Sequence, residues 1–115
     1  MGFFMIKKTL LVLVGSLLSS QTFASGSVLI NGKNIKNREE LHQAFAKQLN
    51  FPINYRKNID SLYENLSSDY SSESIIKIKN VNLLKAKIGS EYIEAMIQSI
   101  INASEENSRI ILVLE

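Results

Sequence analysis

Arg109-Ile110-Ile111-Leu112-Val113-Leu114-Glu115 is an apolar run unbroken by any polar residue and bounded by a charge at each end. A strand with one wet face alternates polar and apolar residues, whereas a continuous run suits burial on both faces. Ile110 to Leu114 is therefore expected to be a strand, and the central one of its sheet. Working back along the chain, Ile75, Ile76 and Ile78 interleaved with Lys77 and Lys79 predict a second strand with one wetter face. A third lies near the start, where the β-prone stretch 27–30 meets Asn31-Gly32, a strong turn signal.

Helical signals fill the gaps between these strands. Asn37 with Glu40 three residues later forms a capping-box pair, and Leu41, Ala44, Phe45 and Leu49 recur at helical spacing until Pro52. The expected first helix runs from 37 to about 50. The next six residues are polar and read as an ordered surface loop of the kind that carries binding residues. Asn58 can cap a second helix whose inward stripe is Ile59, Leu62, Tyr63 and Leu66, ending in a segment with Ser67, Ser68, Ser71 and Ser72. After the second strand come a short helical stretch near 81–87, a break at Gly89, and a helix from Ser90 with Ile93, Met96, Ile97, Ile100 and Ile101 facing inward. The order is β-α-α-β-α-α-β. Strands separated by helical crossovers pair in parallel, so the expected class is α/β, a small three-stranded parallel sheet packed with about four helices. No internal repeat or interdomain linker is present, and 115 residues with 45% hydrophobic and 21% charged content make one ordinary globular domain.

The leading residues read as a separate unit. Lys7 and Lys8 precede the uncharged apolar run from Leu10 to Leu18, and Thr22-Phe23-Ala24 places small residues at the minus-three and minus-one positions of a cleavage site. The run is too short for a bilayer core of roughly 30 Å, which needs about 20 apolar residues. Residues 1–24 are expected to be a signal peptide cut after Ala24, and 25–115 the mature domain, periplasmic or secreted and without a membrane segment. An uncleaved signal anchor is the alternative, and Met5 could serve as the start, since a complete basic, apolar and cleavage arrangement follows it. With no Cys in the chain, that domain forms no disulfide and must rely on its core. Of the 13 Lys and Arg, Lys7 and Lys8 leave with the signal, while all 11 Asp and Glu lie beyond it, so the domain carries no net charge. Without a basic excess there is no drive toward a phosphate backbone, which excludes nucleic acid as the expected direct ligand.

Catalytic constellations are missing. The one His, His42, lies within the first predicted helix and reads as a surface or partly buried helix residue. One His, no Cys and no carboxylate cluster at ligand spacing assemble neither a metal site nor a hydrolytic triad, and the five glycines are too scattered for a phosphate loop. Asp60 and Glu64 could be weighed as an acid–base pair for glycoside hydrolysis, but spacing of i, i+4 puts both on one helix face instead of across a cleft. The expectation is a protein that is not an enzyme and holds no metal and no cofactor. The neighbourhood of that pair reads better as a binding surface. A loop with Asn54, Tyr55, Arg56 and Lys57 feeds a helix that displays Asp60 and Glu64, and two like charges at this spacing are a mild cost that a cationic partner would relieve.

At these residues the chain resembles the barstar family, intracellular inhibitors of the ribonuclease barnase. The likeness rests on Val28-Leu29-Ile30-Asn31-Gly32, Leu41-His42-Gln43, Leu49 then Pro52, the series Tyr55, Asn58, Asp60, Leu62 and Leu66, and the closing run Ile110 to Leu114. It implies a monomeric inhibitor that plugs a nuclease active site with the second helix and the preceding loop, carboxylates standing in for substrate phosphates. Asp60 and Glu64 fall at the family's two inhibitory aspartates, Glu64 at the dominant one. Tyr63 falls at a tryptophan of the interface helix, Asn58 at the residue capping that helix, Tyr55 at the second of two loop tyrosines, and Asn102 near a further interface acid, with Glu105 and Glu106 a turn beyond. The departures are specific: Glu64 is a methylene longer than aspartate, Asn54 replaces the first loop tyrosine, Arg56 replaces a glycine and Lys57 adds a charge. Together with the neutral net charge they weaken steering toward a basic nuclease. The expected partner is a protein, an extracytoplasmic ribonuclease or nuclease-like toxin. The alternative is the same scaffold binding a non-nuclease periplasmic or extracellular protein.

Overall fold

A computed structural model describes residues 27–69 and 73–115 of the chain. The segment read as a signal peptide, 1–24, lies outside the described residues, as do Ser71 and Ser72 of the Ser-rich stretch. Three strands, β1 (Val28–Asn31), β2 (Ser74–Lys79) and β3 (Ile110–Leu114), form one parallel sheet in the order β1-β2-β3. Helices α1 (Arg38–Leu49) and α2 (Ile59–Glu64) connect the first two strands, and α3 (Val81–Ile88) and α4 (Ser90–Glu106) connect the last two. This is the expected α/β order, β-α-α-β-α-α-β.

The first two helices begin at side-chain caps. Asn37 is extended, and its side chain accepts the Glu40 N–H at 2.9 Å; the Glu40 carboxylate reaches back to the Lys36 N–H at 2.8 Å, one residue beyond the usual reciprocal bond. Asn50, left-handed at φ 57°, ends α1 before Pro52 is reached. Asn58 caps α2 through Ser61 N–H at 2.7 Å. Beyond Glu64 the chain widens into a π-helical turn, Asn65–Asp69, fastened at its start by Asn65 Nδ2 to the Ser61 carbonyl, 2.8 Å.

The core lies between one face of the sheet and the helices. Ile30, Ile76, Ile78 and Ile110 on the strands meet Leu41 and Phe45 of α1, Leu62 of α2, and Ile93, Met96 and Ile100 of α4, all without solvent exposure. Burying each such side chain contributes about 1.5–3 kcal/mol, which is what holds a chain with no Cys together.

One expectation is overturned: β3 is an edge strand and β2 is central. The open face of the sheet explains why β3 is nevertheless apolar throughout. Val113 pairs with Lys77 in the register, and the Lys77 ammonium reaches Glu115 at 3.4 Å, so its methylene stem lies across that face toward β3. Val113 is buried there, outside the main core.

Where β1 ends, Gly32 lies against the N-terminus of α3. A Cβ at this position would collide with the Asn80 carbonyl oxygen and stand 3.1 Å from Leu84 N. Gly32→Ala is expected to destabilise the fold by about 1–3 kcal/mol, seen as a lower urea midpoint with an unchanged slope. An unchanged midpoint would show that the turn at Asn80 gives way freely.

Candidate partner-binding surface

Rings and hydrogen bonds hold the loop between α1 and α2 against the body of the protein. Phe51 N–H donates to the Ala46 carbonyl at 3.0 Å, and Tyr55 N–H donates to Pro52 O at 3.0 Å, closing a β-turn over Pro52-Ile53-Asn54-Tyr55. The Phe51 and Tyr55 rings pack at a tilt of 53°, with centroids 4.9 Å apart. Arg56 N–H then donates to Ser61 Oγ at 3.2 Å, tying the end of the loop to α2.

Tyr55, expected on the partner-facing surface, is turned inward and only 8% exposed. Its hydroxyl lies 2.6 Å from Nδ1 of His42, whose Nε2 lies 2.7 Å from the Tyr92 hydroxyl of α4. His42 is therefore neither a surface nor a partly buried residue; it has no exposure and joins α1, the loop and α4. Burial, reinforced by the Arg38 guanidinium over the Tyr92 ring at 3.9 Å, lowers its pKa to about 4, so the ring is neutral at pH 7. A neutral imidazole has one donor and one acceptor, so one tyrosine receives a proton from His42 and the other gives one. Burial also pushes the Tyr55 phenol well above its ordinary range, and it stays protonated.

On the helix side the side chains face outward. Asp60 and Glu64 are exposed one turn apart on α2, with half-buried Tyr63 between them. The Tyr63 hydroxyl donates to Glu106 Oε2 at 2.7 Å, which raises the Tyr63 pKa and places Glu106 of α4 beside α2. Asn102, exposed one turn before Glu106, accepts a hydrogen bond from Gln98 at 3.1 Å. Asn107 Nδ2 donates to the Leu66 carbonyl at 2.8 Å and locks the two elements together. Asp60, Tyr63 and Glu64 are thus brought into one region with the end of α4, while Asn54 and Arg56 are exposed on the loop beside it. Asn58 is an exposed residue whose side-chain oxygen is occupied by the cap.

His42 and Tyr92 carry structural weight that the sequence reading missed. The signal was present: His42, Phe45 and Leu49 stand at i, i+3 and i+7, on the stripe that α1 buries. Among the described residues no group of three or more His, Cys, Asp or Glu side chains could hold a metal ion, and no helix is long and apolar enough to cross a membrane.

Comparison with known proteins agrees with this geometry. The family described as Barstar (barnase inhibitor) matches residues 26–114. A curated Bacillus subtilis (strain 168) protein, named "Putative ribonuclease inhibitor YrdF", is 29% identical over 79 residues, which cover 69% of this chain and 86% of that protein. The match spans every described strand and helix, with the three-stranded parallel sheet and paired crossovers in place, and the chain belongs to the barstar family.

Proposed function

We propose that the protein is a non-enzymatic inhibitor of a ribonuclease or related toxin, acting as a monomer that lays α2 and the preceding loop over the active site. The observation that carries this reading is the exposed acidic face of α2, Asp60 and Glu64, extended by Glu106 through its bond from Tyr63. Carboxylates exposed on a capped helix can occupy a cleft built for phosphates. Asn54, Arg56, Asn58, Asp60, Tyr63, Glu64 and Asn102 form the contact surface, and Tyr55 acts from beneath by holding the loop.

The test is titration calorimetry of the full-length chain against purified barnase-type ribonucleases at low and moderate salt, with nuclease inhibition measured in parallel. Binding that weakens with salt, together with stoichiometric inhibition, supports the reading. Absence of binding across the panel would move the surface to the second reading, a non-nuclease protein. Arg56 favours that alternative, since an exposed guanidinium meets a cationic cleft poorly.

The basic and apolar leader supports export to the periplasm or the medium, where the partner would be a secreted nuclease or an incoming toxin. N-terminal sequencing of the protein recovered outside the cytoplasm is expected to begin at Ser25. Recovery of the uncut chain from the cytoplasm alone would remove the export proposal.

A further inference from the structure

The central positions of a β-turn favour Gly, Pro, Asn and Asp, residues that fit the backbone or bond to it. In Pro52-Ile53-Asn54-Tyr55 the third residue conforms and the second does not. Ile53 is 102% exposed, as open as in an extended peptide, while the other exposed large apolar residues among the described ones, Leu29 and Leu83, are 50% and 43% exposed. Neither turn geometry nor the core accounts for an isoleucine there. The backbone beneath it is already fixed by the Tyr55–Pro52 bond, the tilted Phe51–Tyr55 ring contact, the Tyr55–His42 contact and the Arg56–Ser61 bond. An apolar side chain on a pre-ordered tip loses little backbone freedom on binding, which is how anchors of protein interfaces work.

The charges next to it point the same way. Arg56 is exposed, and its guanidinium forms no ion pair among the described residues. Lys57 adopts a left-handed φ of 60°, a conformation that costs a glycine or asparagine less, and its ion pair with Glu39 is a surface contact at 3.4 Å that contributes little. A lysine placed on a strained backbone is a candidate for work outside the fold.

We propose that the 52–57 turn is a second half of the docking surface with chemistry opposite to that of α2: Ile53 enters an apolar pocket on the partner's rim, and Arg56 and Lys57 pair with carboxylates at the lip of that pocket. The inference rests on α2 being the inhibitory face, and it specifies the partner as a cationic cleft bordered by an acidic, apolar rim. A partner that is basic throughout would be repelled by the loop.

Two measurements on the full-length chain decide it. In the first, Ile53→Ser and Arg56→Glu are titrated beside Glu64→Ala against a panel of purified barnase-type ribonucleases with acidic and with basic rims. On a binding member with an acidic rim, Ile53→Ser is expected to raise Kd about tenfold or more, and Arg56→Glu further still. An unchanged Kd for both loop variants beside a loss for Glu64→Ala would overturn the loop inference and leave the α2 reading standing. The second measurement needs no nuclease: a displayed random-peptide library is panned on the wild-type chain and on the two loop variants. Enriched peptides should carry an apolar residue beside Asp or Glu and should lose binding to both variants. Basic peptides, enrichment indifferent to Ile53, or no enrichment would overturn the proposal. Acidic-apolar peptides recovered when no ribonuclease binds would support the loop chemistry and remove the nuclease.

Discussion

Glu64→Ala is expected to raise the Kd for the ribonuclease proposed as partner by roughly thirtyfold to several thousandfold, the span of about 2–5 kcal/mol seen when one member of a desolvated interfacial charge pair is truncated. Most of that loss should come from the nuclease, left with a cation buried and unpaired. Geometry supplies part of the case: Glu64 is exposed on α2, one turn from Asp60 and adjacent in sequence to Tyr63, which bonds Glu106. The dominance of this position over Asp60 comes from the family resemblance and not from the geometry. Glu64→Asp separates two possibilities for the fit. Its carboxylate would sit roughly 1.5 Å closer to the helix, about one bond length. Against a nuclease matched to the longer side chain it should bind more weakly than wild type, whereas against one matched to the family's aspartate it should bind more tightly. A thermal melt of each variant distinguishes lost contact from lost fold. A Glu64→Ala protein that melts like wild type and still inhibits with unchanged Kd would remove α2 from the interface.

Much of this fold is legible in the chain because the decisive signals are local. Asn37 and Asn58 announce their helices through side chains that bond backbone three residues on, and both caps form as expected. Apolar spacing likewise places Leu41, Phe45, Leu62, Leu66, Ile93, Met96 and Ile100 in the core. Strand order was less accessible. The run from Ile110 to Leu114 calls for cover on both faces, but it does not say where in the sheet the strand lies, and only its pairing with β2 alone puts it at the edge. The candidate site divides along the same line. Asp60, Tyr63 and Glu64 follow from helical periodicity, whereas the inward turn of Tyr55 depends on a histidine 13 residues away. A polar loop containing a tyrosine looks like a surface until its partner in the core is known. Ile53 reverses the case, an apolar residue in a stretch otherwise read as polar, and only the turn shows that nothing covers it.

The buried histidine gives the second large effect, a loss of stability in mild acid. In the fold, burial and then Arg38 bring the His42 pKa to about 4, against an ordinary value of 6.5. Between these values the unfolded chain binds a proton that the folded chain excludes, so stability rises with pH across the window. The contribution of neutral His42 is fully present above 6.5, falls away as pH drops toward 4, and does not change further below that, where both states are protonated. Integrated over the window it amounts to about 3 kcal/mol. Protonation also changes what the ring can do. An imidazolium has two donors and no acceptor, so the tyrosine that gave His42 its proton, Tyr55 or Tyr92, must turn away. If Tyr55 lets go, the turn bearing Ile53 and Arg56 loses its support from below, and partner binding should weaken over the same range. Urea unfolding of wild type and His42→Gln at pH 7, 5.5 and 4.5 isolates the effect, since carboxylates titrate in both proteins and only their difference reports the histidine. The wild-type advantage should shrink steadily as the pH falls. His42 is the only histidine in the chain, so one imidazole signal followed by NMR gives its folded-state pKa directly. Titration near 6.5, or equal pH dependence in the two proteins, would mean that the His42–Tyr55–Tyr92 cluster is open to water and does not hold the loop.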